Sequence, residues 1–239
     1  MISTTQTTLE WARQRQIPIL FQPQTGSTNE DAKSVALQEA ADFVLYLTSH
    51  QTAGRGRGTH QWLDTGGGES LLSTWSYRLT SPPQAIAAPR VGLALFHAVR
   101  RSWPSLVWGI KAPNDLHLDG HKVGGLLLET VSSGERHRLL IGLGLNVFNH
   151  PRRFSEATHL IHTLDTSPGD GEWFQFLDEL HIQLNLAIPE CLLHELSESA
   201  RRDLVQALNA NPARPYVVQD ISGAGDIIHS GGTIRWLDL

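Results

Sequence analysis

Residues 117–147, "HLDGHKVGGLLLETVSSGERHRLLIGLGLNV", decide the fold class of this chain. The Asp119-Gly120 dipeptide is a hairpin turn signal, and the apolar run after it is typical of a strand. The "SSGE" stretch provides a second turn before "RLLIGLGLNV". Two long antiparallel strands are therefore predicted. Both carry interior glycines, namely Gly124, Gly125, Gly142 and Gly144.

Helices and strands alternate around this pair without a regular βαβα rhythm. Strands are predicted at 43–49 and 71–77, where short apolar runs are rich in strand-forming residues. Helical spacing of apolar residues predicts helices over 29–41, 85–101, 172–187 and 190–208, the first behind a Ser27-x-x-Glu30 capping box. We therefore predict an α+β fold with a mixed, largely antiparallel sheet flanked by helices.

The length of 239 residues fits one large domain, or one domain with a small appendage. The tail "RPYVVQDISGAGDIIHSGGTIRWLDL" indicates two or three short strands joined by glycine turns. We predict a main domain over residues 1–209 and a short β-rich segment over residues 210–239.

The composition is that of an ordinary globular protein, with 40% hydrophobic and 18% charged residues. A net charge of −5 argues against a nucleic-acid partner, because no global basic field exists to neutralise phosphates. No apolar run approaches the length of a membrane span, so no membrane partner is expected. The single cysteine, Cys191, suits a reducing compartment, and we expect a cytoplasmic location.

The stretch "HQTAGRGRGTHQW" at 50–62 places Arg55 and Arg57 among glycines. It lacks the final glycine of a dinucleotide fingerprint and the lysine of a P-loop. Two interpretations stay open from the residues alone. The stretch is either a mobile surface turn or a loop that closes over an anion, with backbone N–H groups and guanidinium forks as donors.

A second cluster of charge lies in "KAPNDL" at 111–116 and "HKVGGLLLE" at 121–129. A lysine at a strand end is usually a solvated edge charge. Paired glycines weaken a strand unless another group must approach closely, so Gly124 and Gly125 favour a binding role. Several glycine-bearing strands beside lysines and arginines predict one ligand cleft.

The ordered motifs resemble the catalytic domain of biotin protein ligases, which attach biotin to carboxylase carrier domains. The matching stretches, which span residues about 25 to 150, are "STN" at 27–29, "QTAGRGRG" at 51–58, Trp62, "KAPNDL" at 111–116, "KVGGLLLE" at 122–129 and "GLGLNV" at 142–147. The resemblance implies two half-reactions. Biotin's carboxylate attacks the α-phosphorus of ATP to give biotinyl-AMP and pyrophosphate, and a carrier lysine then takes the biotinyl group. It also implies ATP and Mg²⁺ as cofactors, and biotin and a biotin carboxyl-carrier domain as partners.

The resemblance further implies roles for individual positions. Lys122 would contact the biotin carboxylate and the α-phosphate. The implied biotin-binding residues are Ser27, Thr28, Asn29, Gln51, Gly54, Arg55, Gly56, Gly124 and Gly125. The implied ATP or adenylate contacts are Arg57, Trp62, Lys111, Asn114, Lys122 and Asn146. The implied catalytic residues are Lys122, Arg57, Lys111 and Asp115, and no direct metal ligand is assigned.

The chain departs from the family pattern at three places. Ala112 stands where the family usually has tryptophan, and Thr59-His60 replaces a glycine and an arginine. The tail is too short for the family's SH3-like barrel, so we expect a reduced version. With no room before residue 25 for a winged helix-turn-helix, we do not expect a DNA-binding repressor.

The sequence leaves the function and the oligomeric state open. A lipoate or octanoate ligase of the same superfamily and a non-catalytic biotin-binding protein are the alternative functions. Whether the chain forms a homodimer is also left open.

Overall fold

The fold is seen in a computed structural model that describes residues 3–151, 154–164 and 167–239. The helices are α1 (Thr4–Gln14), α2 (Thr28–Val35), α3 (Ala87–Ser102), α4 (Leu160–Thr163), α5 (Asp170–Glu190) and α6 (Glu198–Asn209). The strands are β1 (Ile19–Gln22), β2 (Phe43–Thr48), β3 (Ser70–Leu79), β4 (Trp108–Lys111), β5 (Asp115–Leu118), β6 (His121–Ser133), β7 (Arg136–Asn146), β8 (Val218–Ile221), β9 (Ile227–His229) and β10 (Gly232–Ile234). A short 3-10 helix, Trp236–Asp238, follows β10.

The chain divides into two units, each built from two stretches of sequence. The first unit consists of Met1–Pro82 and Val123–Leu177, and the second of Pro83–Lys122 and Asp178–Leu239. These units cut across the predicted division at residue 209, which stays a prediction.

The first unit contains a sheet with the strand order β1-β2-β3-β7-β6. The β1 and β2 strands run parallel, whereas the other neighbours are antiparallel. Side chains alternate between the faces of β3. On one face, the Trp75 ring lies 6.0 Å from the Trp11 ring of α1. On the other face, the Thr74 hydroxyl contacts the start of α2. The sheet is thus flanked by helices, and the predicted fold class is confirmed.

The second unit contains a β4–β5 hairpin and a separate sheet of order β10-β9-β8. Two or three short strands were predicted in the tail, and the structure has three. The Asp119-Gly120 turn separates β5 from β6, with φ angles of 50° and 80°. Positive φ at both central residues is what a two-residue type I′ turn requires, so the turn signal is confirmed.

Several element boundaries were predicted wrongly. The α2 helix ends at Val35 rather than at residue 41. The helix predicted over 190–208 starts only at Glu198, because the Ser197 hydroxyl accepts a hydrogen bond from the Ala200 N–H and caps the helix there. Pro189 lies inside α5, whose last turn is held by the Cys191 N–H bond to the Ala187 carbonyl. The helix α1 and the strand β1 were not predicted from the sequence.

No helix within the described residues combines the length and the apolar character that crossing a bilayer requires.

Candidate functional site

The glycine-arginine run folds into a small hairpin in the first unit. Arg55 forms an antiparallel bridge with Gln61, and the Gly56 N–H donates to the His60 carbonyl at 2.9 Å. The Trp62 N–H donates to the Gly54 carbonyl at 3.0 Å and closes the base of this hairpin. A Cβ at Gly54 would lie 3.1 Å from the Gln51 amide nitrogen and would also clash with the Trp62 carbonyl. Position 54 therefore needs glycine for the chain to close on itself.

Thr28 and Gln51, two predicted biotin contacts, touch one another. The Thr28 N–H donates to Gln51 Oε1 at 2.9 Å, which fixes the amide against the start of α2. The Gln51 backbone N–H donates to Asp64 Oδ2, also at 2.9 Å, and the Asp64 side chain is almost fully buried. Gln51 is thus held through both its side chain and its backbone.

Ser27 is the N-cap residue of α2, but its hydroxyl makes no capping hydrogen bond. The predicted capping box is therefore not formed. Glu30, its other member, pairs instead with Arg55. The Ser27 side chain is buried beside the Thr28–Gln51 contact, where its hydroxyl is not used to hold the helix end.

Asn29 is buried within a network of hydrogen bonds. Its amide donates to Glu129 Oε2 at 3.0 Å and to the Leu127 carbonyl at 3.3 Å, and its oxygen accepts from the Thr74 hydroxyl. A Cβ at Gly142 would collide with this amide, whose Cγ would lie 3.0 Å away. The glycine at 142 makes room for Asn29.

Gly144 makes room for Trp62 in the same way. A Cβ at Gly144 would lie 2.6 Å and 2.8 Å from two carbons of the indole ring and still closer to a third. Gly125 of β6 lies directly opposite Gly144 in the sheet. The close approach predicted for strand glycines is therefore real at 142 and 144, but the approaching groups are side chains of the protein itself.

Arg55 is engaged by two carboxylates. Its guanidinium forms ion pairs with Glu30 of α2 and, at 3.1 Å, with Glu129 of β6. Burial raises the pKa of Glu129, but the Asn29 hydrogen bond and the charges of Arg55 and Lys33 outweigh it and lower the pKa overall. Glu129 is therefore ionised at neutral pH, and it ties the glycine-arginine hairpin to the sheet. Arg57 lies exposed at the hairpin's turn.

Asn146, at the end of β7, is buried with a polar atom unsatisfied. Its amide nitrogen donates to the Thr158 carbonyl at 3.1 Å, whereas Oδ1 has no hydrogen-bond partner among the described residues. Ser70 lies directly opposite in β3, and its buried hydroxyl also has none there. Register partners share a face, so these two atoms lie side by side on the face that carries Trp62 at Gly144. Buried polar groups normally find partners, so this pair is a candidate ligand contact.

The predicted cationic cluster is assembled in the second unit. Lys111 ends β4, is exposed, and lies opposite Asp115 in the hairpin. Lys122 Nζ is 2.7 Å from Asp115 Oδ1, and both side chains are partly exposed. Asn114 lies half-buried in the turn between the two hairpin strands. Two amines and a carboxylate therefore belong to one short segment, with Gly124 and Gly125 next along β6.

A sequence model described as "Biotin/lipoate A/B protein ligase family" matches residues 21–146. This match covers more than half of the 239 residues. The chain belongs to this ligase family. The resemblance of the ordered motifs is confirmed at the level of the family.

Individual relatives agree with this assignment to the ligase family. The chain is 34% identical over 153 residues to a biotin–[acetyl-CoA-carboxylase] ligase of Mycobacterium tuberculosis, covering 62% of this chain and 55% of that protein. It spans about half the length of the curated relatives it matches.

Two solved structures show the same fold. A biotin protein ligase from Aquifex aeolicus in complex with biotin and ATP superposes with a TM-score of 0.68 at 18% identity, covering 91% of this chain and 95% of that one. A biotin protein ligase from Leishmania major in complex with biotinyl-5-AMP has a TM-score of 0.64 at 20% identity, covering 91% and 97% of the two chains.

Sequence reasoning missed three residues that shape the candidate site. Glu129 was quoted within a motif but given no role, although it contacts both Asn29 and Arg55. Asp64 and Ser70 carried no motif signal at all. Their importance comes from burial and strand register, and a linear pattern does not encode either.

Proposed function

We propose that the chain is an ATP-dependent biotin protein ligase. It activates biotin to biotinyl-AMP with release of pyrophosphate, and then passes the biotinyl group to a lysine of a carboxylase carrier domain with release of AMP. The observation that carries the proposal is the Lys122–Asp115 pair, an amine 2.7 Å from a carboxylate at the start of the glycine-bearing strand β6. The name of the Mycobacterium relative supports the same reaction.

The first half-reaction needs fixed positive charge. Two anions about 4 Å apart repel by about 1 kcal/mol in water and by about 4 kcal/mol at an effective dielectric near 20. Biotin's carboxylate must approach the triphosphate against this repulsion. We assign Lys122 to the carboxylate and the α-phosphate, where negative charge increases in the transition state. Lys111 and Arg57 are assigned to the phosphates.

The biotin contacts are assigned to the first unit. The polar groups around α2 and the held amide of Gln51 suit the ureido ring of biotin, which both donates and accepts hydrogen bonds. Ser27 and Thr28 are the hydroxyl contacts. Asn29 acts by holding Glu129 in place, and the Gly54–Gly56 backbone approaches the ligand. Arg55 shapes this hairpin through its two carboxylate partners, while Gly124 and Gly125 leave space on β6.

The nucleotide contacts are assigned to Trp62, Asn146 and Asn114. Trp62 offers its indole ring, and Asn146 offers a buried acceptor suited to a ribose hydroxyl or another donor. Asn114 offers an amide near the phosphates. No group of three His, Cys, Asp or Glu side chains in the described residues could hold a metal ion. Mg²⁺ usually takes few protein ligands and several from phosphates and water, so it fits a site where it arrives with ATP and offsets phosphate charge.

Asp115 is assigned to the second half-reaction. The carrier lysine must lose a proton before it attacks the mixed anhydride, and a carboxylate within hydrogen-bond reach can accept it. Lys122 holds the Asp115 carboxylate in place through the 2.7 Å ion pair.

The direct test is ATP–pyrophosphate exchange with biotin, lipoate, octanoate or no acid in parallel. We expect exchange with biotin only, followed by biotin transfer to a carrier domain. Exchange with lipoate or octanoate instead would assign the chain to that branch of the family. Biotin-dependent thermal stabilisation without exchange would make it a non-catalytic binder.

The Lys122→Ala variant tests the assigned chemistry. Loss of one preorganised electrostatic contact should reduce exchange by about 10² or more. Arg202→Ala is the matched control, since Arg202 is another ion-paired cation of the second unit but is exposed on α6. The control should exchange at the wild-type rate. Equal rates in the two variants would contradict the role of Lys122.

A further inference from the structure

The C-terminal segment reaches the turn that carries the predicted phosphate-binding residues. Trp236 follows β10, and its side chain is only 3% exposed. Its indole N–H donates to the carbonyl of Pro113 at 2.8 Å. Pro113 lies between Lys111, at the end of β4, and the Asn114-Asp115 pair that leads into β5.

An indole is therefore supplied to this turn from a distant part of the sequence. A buried tryptophan contributes a large rigid surface, and its N–H needs a partner once it is buried. Within the turn itself, position 112 is alanine. Trp236 thus places against Pro113 the type of rigid side chain that the neighbouring position lacks.

Other residues after α6 also hold this hairpin. A Cβ at Gly109 in β4 would lie 2.8 Å from the Asn211 backbone nitrogen. A Cβ at Gly120, after β5, would lie 2.9 Å from the Pro212 ring. Asn211 and Pro212 therefore pack against the open end of the β4–β5 hairpin, and Trp236 adds a hydrogen bond at its turn.

We propose that Trp236 is a positioning residue for the turn between Lys111 and Asp115. This inference rests on the proposed function. Without the indole N–H, the Pro113 carbonyl loses its donor and the turn can shift. A shift of about 1 Å in a catalytic group can reduce a rate by about 10²-fold. Trp236→Phe should therefore lower the rate of exchange while leaving the biotin KM unchanged.

Trp108→Phe is the matched control. Trp108 lies in the same hairpin, is also 3% exposed, and donates its indole N–H to the Trp103 carbonyl at 3.1 Å. Both variants remove one buried N–H···O=C bond from the second unit, but only Trp236→Phe removes it from the turn. We expect similar losses of thermal stability in the two variants. The exchange kcat should fall about tenfold in Trp236→Phe only. This loss is smaller than the loss of about 10²-fold for a shift of about 1 Å, because the turn is expected to move by less than that.

A second readout does not depend on turnover. The backbone amide signals of Asn114 and Asp115 in ¹⁵N NMR spectra should shift in Trp236→Phe and stay in place in Trp108→Phe. Equal exchange rates in the two variants, or unshifted Asn114 and Asp115 amides, would overturn the inference while leaving the ligase function intact. Wild-type protein that shows no biotin-dependent exchange would overturn the function, and with it the inference.

A measurement on wild-type protein covers the case in which Trp236→Phe fails to fold. The Trp236 indole N–H should exchange slowly with solvent deuterium, because it is buried and bonded to a carbonyl. Fast hydrogen–deuterium exchange at the Trp236 indole would also overturn the inference.

Discussion

Trp62 packs against Gly144, and its indole ring fits there because residue 144 has no side chain. Three indole carbons lie within 2.8 Å of the position that a Cβ of residue 144 would take. Gly144→Ala must therefore displace the ring or the strand, and overpacking of this kind costs about 1–3 kcal/mol. We expect that loss in the free energy of unfolding, measured by denaturant titration, together with a raised KM for ATP if Trp62 contacts the nucleotide.

Two further variants test whether the loss comes from this contact. Gly171→Ala, in the first turn of α5 with open space around it, should be neutral or stabilising by at most about 1 kcal/mol. Adding Trp62→Phe to Gly144→Ala should recover part of the loss, because the smaller ring leaves space for the methyl group. Strictly additive effects in this cycle would refute the contact.

The ionisation of Glu129 makes the stability of the folded chain depend on pH. Its pKa in the folded chain is lowered from the ordinary value of 4.5, despite the opposing effect of burial. A carboxyl with a lowered folded pKa contributes stability that is present above pH 4.5 and is lost as the pH falls through the folded pKa. Glu129→Gln should therefore melt at a lower temperature than wild type at neutral pH, and the gap should narrow below pH 4.5.

The control for this pH dependence is Glu198→Gln. Glu198 pairs with Arg202 on the exposed surface of α6. Exposed pairs of this kind contribute little, so its melting temperature should follow that of wild type across the titration. A constant gap between wild type and Glu129→Gln down to pH 3 would show that the Glu129 charge is not the cause.

At the scale of elements, Ser27 and Ser197 are both N-cap residues, but only one of them caps its helix through a hydrogen bond. Ser197 caps α6 through its hydroxyl, whereas Ser27 begins α2 without a capping bond. Ser197→Ala should reduce stability by about 1 kcal/mol, measured by denaturant unfolding. Ser27→Ala should lose less stability but should weaken biotin binding, measured calorimetrically. The reverse pattern would contradict both assignments.

The elements also differ in how well they could be predicted. The β6–β7 pair was predicted because its turn signals and apolar runs are local. The α5–α6 region was predicted wrongly because Pro189 was interpreted as a break. One missing N–H removes only one hydrogen bond, so α5 includes Pro189 and ends one residue later, at Glu190. The true break lies before Ser197, and its capping serine was the signal that was overlooked.

At the scale of the whole molecule, net charge should exclude tight binding to nucleic acid by this chain. With a net charge of −5, the chain has no overall excess of positive charge to neutralise the DNA phosphates, and this neutralisation drives non-specific affinity. We expect duplex DNA to bind with a dissociation constant on the order of 10⁻⁴ M or weaker at physiological salt, measured by fluorescence anisotropy. A basic DNA-binding protein run in parallel provides the positive control. Micromolar binding that weakens steeply with salt would contradict this expectation.

Much of the candidate site was indicated by the linear motifs, because they carry charge or glycine in fixed order. Lys122 and Asp115 were both named, and they form an ion pair. Thr28 and Gln51 were both named, and they are hydrogen-bonded. Their proposed roles toward biotin and ATP stay predictions. Glu129, which contacts Asn29 and Arg55, and Asp64, which accepts from the Gln51 N–H, were not found, because their contacts join residues that are not neighbours in the sequence.

The sequence by itself determined the family, the α+β class and the central pair of strands. These follow from local patterns, since turn residues, apolar runs and ordered motifs act within a few positions. Only the tertiary structure decided that Gly142 and Gly144 accommodate Asn29 and Trp62, that Arg55 is held by two carboxylates, and that Trp236 holds the Pro113 carbonyl. Each of these contacts depends on strand register and on packing between distant segments, and only the folded chain brings those segments together.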